Sequence, residues 1–231
     1  MSISPAKSTV AKSRPVKAQA TKSQAKGQRK RRHLIEAAIR VVGRKGVARA
    51  TIQDVAQESD LSVGLVNFYF AGKEDLFRMA FQSLAEEYET IWRRRIDGLT
   101  EAAIIIDAMI VSAFDAQVLD QVKAAAWFAF WGEACHGDPS FLAINRIEQN
   151  FTDEILKQCL VLARLQGRRA AEARDICRGL AALIEGLWSG FAVPGNRHRP
   201  SQAIRLCRQY IGMGFGLADP VPQKAKARPS R

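Results

Sequence analysis

The stretch "TIQDVAQESDLSVGLVNFYF", Thr51 to Phe70, decides the fold. Apolar residues recur in it at helical spacing on both sides of a polar break. Ile52, Val55 and Ala56 form one inward face, and Val66 and Phe70, four apart, form a second. Asp60 stands between them, four residues after Ala56, where a tight turn needs positive φ. Glycine is the usual residue for such a turn, but Asp enters the left-handed region more readily than most. Thr51 and Ser62 each precede a helical run as N-caps, and Asp54 supplies the acid of a shortened capping box. Ala56 is small enough for two helices to cross closely, and Leu61 plugs the joint. The pattern is that of a helix-turn-helix. Val63, Gly64, Leu65, Asn67, Phe68 and Tyr69 fall on or near its outer face. For Leu65 and Phe68 the competing reading is packing inside the domain.

Outward from this stretch, charge divides the chain. Its 231 residues carry a formal net charge of +12. Fourteen of the 35 basic residues lie within residues 1–32 and 220–231, which hold no acid, so 21 basic residues face 23 acids in the remainder. The basicity belongs to the tails. Residues 1–26, rich in Lys, Ser, Ala and Pro, lack apolar periodicity and read as a disordered arm. Such an arm either binds polyanions without sequence preference or serves only as a solvated tail.

Helical periodicity continues almost throughout, and no alternating strand pattern appears. Nine helices are expected, near 28–45, 51–58, 62–69, 73–97, 101–115, 118–135, 141–166, 168–193 and 200–217. Gly46, Gly98, His136–Pro139 and Pro194–Asn196 mark breaks. The fold class is all-α. It comprises a disordered basic arm (1–27), a three-helix helix-turn-helix domain (28–75), a larger helical body (76–217) and a basic tail (218–231).

Residues 29–77 resemble the DNA-binding domain of the tetracycline-repressor family. The shared features are a basic lead before Leu34, Ile35, Ala38, Val41 and Val42, and then Thr51, Ala56, Ser62, Tyr69, Phe70, Lys73 and Leu76. Asp60 stands where the family has Gly, and Asn67 where it has a phosphate-touching Tyr. The resemblance implies a reading helix in the major groove of double-stranded operator DNA. Thr51, Gln53, Tyr69 and Lys73 are then placed for backbone phosphates, with the dipole of the fourth helix behind Lys73. Base reading falls to Val63, Gly64, Leu65 and Asn67. Val63 or Leu65 would meet thymine methyls, and Asn67 would bond either a phosphate or an adenine edge. The family also dimerises through its last two helices. Gly186 and Gly190, and Gly212 and Gly216, lie four apart there and would flatten a helix face, either for a partner subunit or for intrachain packing.

The segments "AAAWFAFWGEACHGDPSFLAINRIEQNF" and "RGLAALIEGLWSGFA" are similar to the choline-responsive repressors of glycine-betaine synthesis. That resemblance covers about residues 29–195 and implies a quaternary-ammonium effector. Tyr88, Trp92, Trp127, Phe130, Trp131 and Trp188 are the candidate pocket walls, with Glu133 or Glu185 adding charge. Aromatic cages hold such cations by cation–π contact. The competing reading of an aromatic stripe is plain core.

Other classes recede. His33, His136 and His198 form no metal-binding pair, adjacent Cys135 and His136 point apart on a helix, and Ser189 in "GLWSG" is one position late for a nucleophile elbow. No catalytic residue, metal or cofactor is expected. Cys135, Cys159, Cys177 and Cys207 read as buried free thiols. No apolar run reaches the ~18 residues of a membrane span. The expectation is a cytoplasmic, nucleoid-associated bacterial repressor that forms a homodimer. The rivals are a relative with another effector and an architectural DNA binder without a ligand.

Overall fold

A computed structural model of the chain describes residues 16–135, 145–195 and 199–217. Among these the chain forms nine helices and no strand. They are α1 (Val16–Lys45), α2 (Ile52–Glu58), α3 (Val63–Tyr69), α4 (Lys73–Ile96), α5 (Ala102–Ala113), α6 (Gln121–Cys135), α7 (Asn145–Leu165), α8 (Ala170–Ala192) and α9 (Pro200–Phe215).

α1 begins at Val16, not at residue 28, so the expected disordered arm is helical over its second half. Residues 17–26 contain neither Gly nor Pro and are rich in Ala, Lys and Gln. Such residues propagate a helix cheaply once packing has nucleated it further along. Periodicity missed this stretch because it has no apolar face to bury. α6 starts at Gln121 rather than 118, because Asp115 first organises a turn: its carbonyl accepts from the N–H groups of Val118 (3.0 Å) and Leu119 (2.9 Å). The expected break at His136–Pro139 and the start of a helix at 141 lie outside the described residues.

The helix-turn-helix forms for local reasons. Thr51 Oγ1 accepts from the Asp54 N–H at 3.1 Å, and Asp54 Oδ2 accepts from the Thr51 N–H at 3.0 Å, closing the capping box. Asp60 adopts φ +52°, the left-handed turn expected of it. Ser62 caps α3 by accepting from the Leu65 N–H at 3.3 Å. Leu34, Ala38, Val41, Val55, Ala56, Val66 and Phe70 are buried together.

Charged pairs lock α2 to α1. Arg40 Nε lies 2.7 Å from Glu58, Arg44 reaches the same carboxylate, and Lys45 Nζ lies 2.7 Å from Asp54. The Arg40 guanidinium, aided by Arg44 against the opposing effect of burial, holds the Glu58 carboxyl below its ordinary range. The His33 ring nitrogen Nε2 lies 3.0 Å from the Ser59 carbonyl oxygen at the end of α2.

The body is a helical stack in which α4 carries the long buried stripe from Leu76 to Trp92. α6 joins the two parts, lying on both α1 and α4. At the crossing with α1, a Cβ added to Gly43 would stand 2.3 Å from the Val122 carbonyl oxygen. Only glycine permits this approach of backbone to backbone. Lys123 Nζ, next in α6, lies 2.8 Å from Glu87 of α4.

The glycine pair of the last helix serves differently from the sequence reading. Gly216 takes φ +65° as the left-handed cap of α9, and Gly212 accepts the capping bond from Leu217 at 2.9 Å. Gly216 therefore ends the helix and does not flatten its face. The close α8–α9 approach falls instead on Gly179, covered by the Tyr210 ring, and on Gly214, covered by Ile176. Arg208 binds Asp107 of α5 in bidentate fashion, at 2.5 and 2.9 Å, which seats α9 on the body. Cys159, Cys177 and Cys207 are buried free thiols. Burial pushes the Cys207 thiol up to about 12. No helix among the described residues is long and apolar enough to cross a membrane.

Candidate functional site

Two places among the described residues bring the sequence candidates together. The first is the outer face of α3. With 3.6 residues per turn, Val66 turns inward while Val63, Gly64, Asn67 and Phe68 share the opposite side. Those four are exposed, and Leu65 and Tyr69 are half-buried at the flank. Gly64 lies centrally between Asn67 and Phe68, and a Cβ built there meets nothing within 4 Å. Packing does not demand this glycine. Phe68 is 77% exposed, so domain packing, its competing reading, does not apply.

Around that face stand the other residues picked out in the sequence. Thr51 and Gln53 are exposed at the start of α2. The Tyr69 hydroxyl lies against α1, 3.6 Å from where a Gly27 Cβ would be. Lys73 Nζ lies 3.4 Å from the Ala48 carbonyl oxygen and 5.5 Å from the centre of the Phe77 ring. The amide groups before α4 already have one anionic partner, since Asp75 Oδ2 accepts from the Ala71 N–H at 3.1 Å. Burial pushes the Asp75 carboxyl up, but this bond and Arg78 outweigh it and hold the group low.

The second place is a cavity of about 310 Å³ between α4, α6, α7 and α8. Its walls are Tyr88, Trp127, Phe128, Trp131, Gln149, Phe151, Thr152, Asp153, Ala181, Ile184, Glu185 and Trp188. Four rings form a connected cage. Tyr88 lies 5.6 Å from Trp188 and 5.1 Å from Phe151, and Trp127 lies 5.7 Å from Trp188, with most pairs edge to face. Trp188 is held by its indole N–H, which donates to the Ala113 carbonyl at 2.8 Å. Among the described residues Asp153 and Glu185 are the charged walls, and no Lys or Arg lines the cavity. Aromatic faces beside carboxylates suit a small cation.

The structure brings together Tyr88, Trp127, Trp131 and Trp188 of the sequence candidates. It sets Trp92 and Phe130 apart. Phe130 is fully buried and stacks on Phe81 at 5.5 Å, because it lies on the side of α6 that faces α4. Trp92, one turn beyond Tyr88, packs edge-on against Phe151 at 6.0 Å, behind the cavity wall. Trp92 supports the cage from outside, and Phe130 belongs to the core between α4 and α6. Glu185 lines the cavity and Glu133 does not. Phe128 was legible, since it neighbours Trp127 on α6. Phe151 and Asp153 had no signal, because α7 meets α4 and α8 only through the fold.

Two family models match the chain. "Bacterial regulatory proteins, tetR family" spans residues 34–80, and "BetI-type transcriptional repressor, C-terminal" spans residues 105–216. The chain belongs to the TetR family of bacterial transcriptional regulators. The regulator is 29% identical over 189 residues to the HTH-type transcriptional regulator BetI of Paraburkholderia phytofirmans, covering 80% of this chain and 92% of that protein. A BetI of Burkholderia cenocepacia is 28% identical over 185 residues, covering 80% and 93%. Among solved structures, a putative transcriptional regulator from Pseudomonas aeruginosa matches with a TM-score of 0.68 at 26% identity, covering 83% of this chain and 92% of that one. A regulator from Saccharomonospora viridis, solved in complex with choline, matches with a TM-score of 0.68 at 18% identity, covering 78% and 94%. At that identity the likeness concerns the fold. The regulator is not an enzyme, as its relatives are transcriptional regulators.

Proposed function

We propose that this regulator is a homodimeric repressor that holds a palindromic operator through α3 and releases it when a choline-like quaternary ammonium fills the cavity. The observation that carries the effector is the cage of Tyr88, Trp127, Phe151 and Trp188 with Asp153 and Glu185 at its edge. A trimethylammonium group cannot donate a strong hydrogen bond. Its recognition rests on ring faces, worth about 0.5–2 kcal/mol each, and on nearby negative charge. The choline bound by the Saccharomonospora viridis regulator supports the same chemistry in a similar fold.

In this reading Val63, Gly64, Leu65 and Asn67 face base edges, while Thr51, Gln53, Tyr69 and Lys73 address phosphates. The exposed Lys26 and Arg29, on the helical extension of α1, add sequence-independent attraction. The dimer forms through α8 and α9. Val193, Leu206 and Met213 are exposed there at 56%, 40% and 78%, and Ala182 and Gly186 are exposed beside them. An apolar face of this kind on the last two helices suits an isologous two-fold contact. Such a dimer places two reading helices about 34 Å apart, one turn of DNA.

Choline titrated into the operator complex tests the effector. Micromolar to millimolar choline should quench tryptophan emission and lower operator affinity. Trp127→Leu should keep operator binding and lose the response. Tight operator binding unmoved by millimolar choline would reject the quaternary ammonium. Binding that no operator sequence enhances would favour the architectural alternative.

A further inference from the structure

We propose that Phe68 is a base-reading residue, and that its ring contacts the C5-methyl group of a thymine beside the base addressed by Asn67. The inference rests on the reading of α3 as the DNA-facing helix and adds a specificity determinant to it. Phe68 is 77% exposed, the one exposed aromatic ring among the described residues. Nothing in its own domain covers it. Among the described residues its single ring contact is Tyr69, at 5.1 Å and 86°, which steadies one edge. Gly64, one turn earlier on the same side, has no side chain to screen the ring's flank, and the space above it is open.

The chemistry of the ring selects its partner. A phenyl group neither donates nor accepts a conventional hydrogen bond, so phosphate oxygens and base-edge polar atoms gain nothing from it. The apolar feature of the major groove is the thymine methyl. Wedging between base steps belongs to proteins that enter the minor groove, which a helix in the major groove does not do. The structure also shifts the apolar contact away from Leu65, which is half-buried, toward Phe68. Asn67 and Phe68 are successive on the helix, about 100° apart. They therefore address neighbouring positions. With Asn67 suited to adenine, the half-site should contain adjacent adenine and thymine.

A double-mutant cycle tests this on the full chain. The operator is first selected from random DNA with the wild-type protein. Each half-site thymine is then replaced by deoxyuridine, which removes only the methyl group. Wild type should lose about fourfold in affinity per half-site at one position, the value of one methyl-sized group. Phe68→Ala should bind the thymine operator more weakly by at least that factor and show no further loss on deoxyuridine substitution there. Phe68 is exposed, so the variant's melting temperature should match wild type. Equal deoxyuridine penalties in wild type and Phe68→Ala at every thymine would overturn the assignment while leaving α3 as the reading helix. Failure to select any operator would overturn both.

Discussion

Replacing Gly64 with alanine separates what the protein needs from what its partner needs. Gly64 is the second residue of α3, its φ is not in the left-handed region, and a Cβ there meets no atom within 4 Å. Within the protein, alanine should therefore be favoured. Gly costs a helix about 0.5–1 kcal/mol relative to Ala, chiefly through unfolded-state entropy. The terminal position of a short helix points to the lower value, about 0.5 kcal/mol. For a chain of this size that raises the melting temperature by about 1–2 °C. Bound to DNA, the same methyl group would stand at the centre of the face formed by Asn67, Phe68 and Val63. If that face lies against base edges, the reading helix must move outward, weakening several contacts at once. A loss of tenfold or more, about 1.4 kcal/mol, is expected. Scanning calorimetry and fluorescence anisotropy with operator and unrelated DNA, at matched salt and protein concentration, measure the two effects. Stability should rise while specific affinity falls and non-specific affinity barely changes. Raised stability with unchanged operator affinity would refute the close approach of DNA to Gly64. Lowered stability would refute the open space around it.

Three further outcomes follow from other parts of the fold. Gly43→Ala forces a Cβ against the Val122 carbonyl oxygen and should cost about 1–3 kcal/mol in chemical denaturation, whereas an unchanged midpoint would mean that α1 and α6 part easily. Met213→Asp places a charge on the exposed face of α9, so sedimentation should show monomers and operator affinity should drop at least tenfold; an intact dimer would move the interface elsewhere. Glu58 titrates below its ordinary range in the folded state, so its pairing with Arg40 and Arg44 stabilises the protein above about pH 4.3 and is lost as pH falls through the lower folded value. Glu58→Gln should lower stability at pH 7 and reduce the acid-induced loss, and identical acid unfolding profiles would remove Glu58 from that role.

The helix-turn-helix was legible because its signals are local. A capping box needs only Thr51 and Asp54, a tight turn only a residue such as Asp60 that accepts positive φ, and the two faces of α3 only the 3.6-residue period. The all-α class and most helix positions follow in the same way. The helical start at Val16 was hidden, because propensity without an apolar stripe leaves no periodic trace.

Tertiary structure decided everything that depends on which side of a helix meets which neighbour. Six aromatic positions looked equivalent along the chain, yet four line the cavity while Trp92 and Phe130 pack behind it. Phe151 and Asp153 join the cavity only because α7 crosses α4 and α8. The glycines divide similarly. Gly216 ends a helix, Gly179 and Gly214 admit a neighbouring helix, and Gly43 admits a neighbouring backbone. Residue type states what a position can do. Spatial neighbours, brought from far along the chain by burial of apolar surface, determine which of those capacities is used.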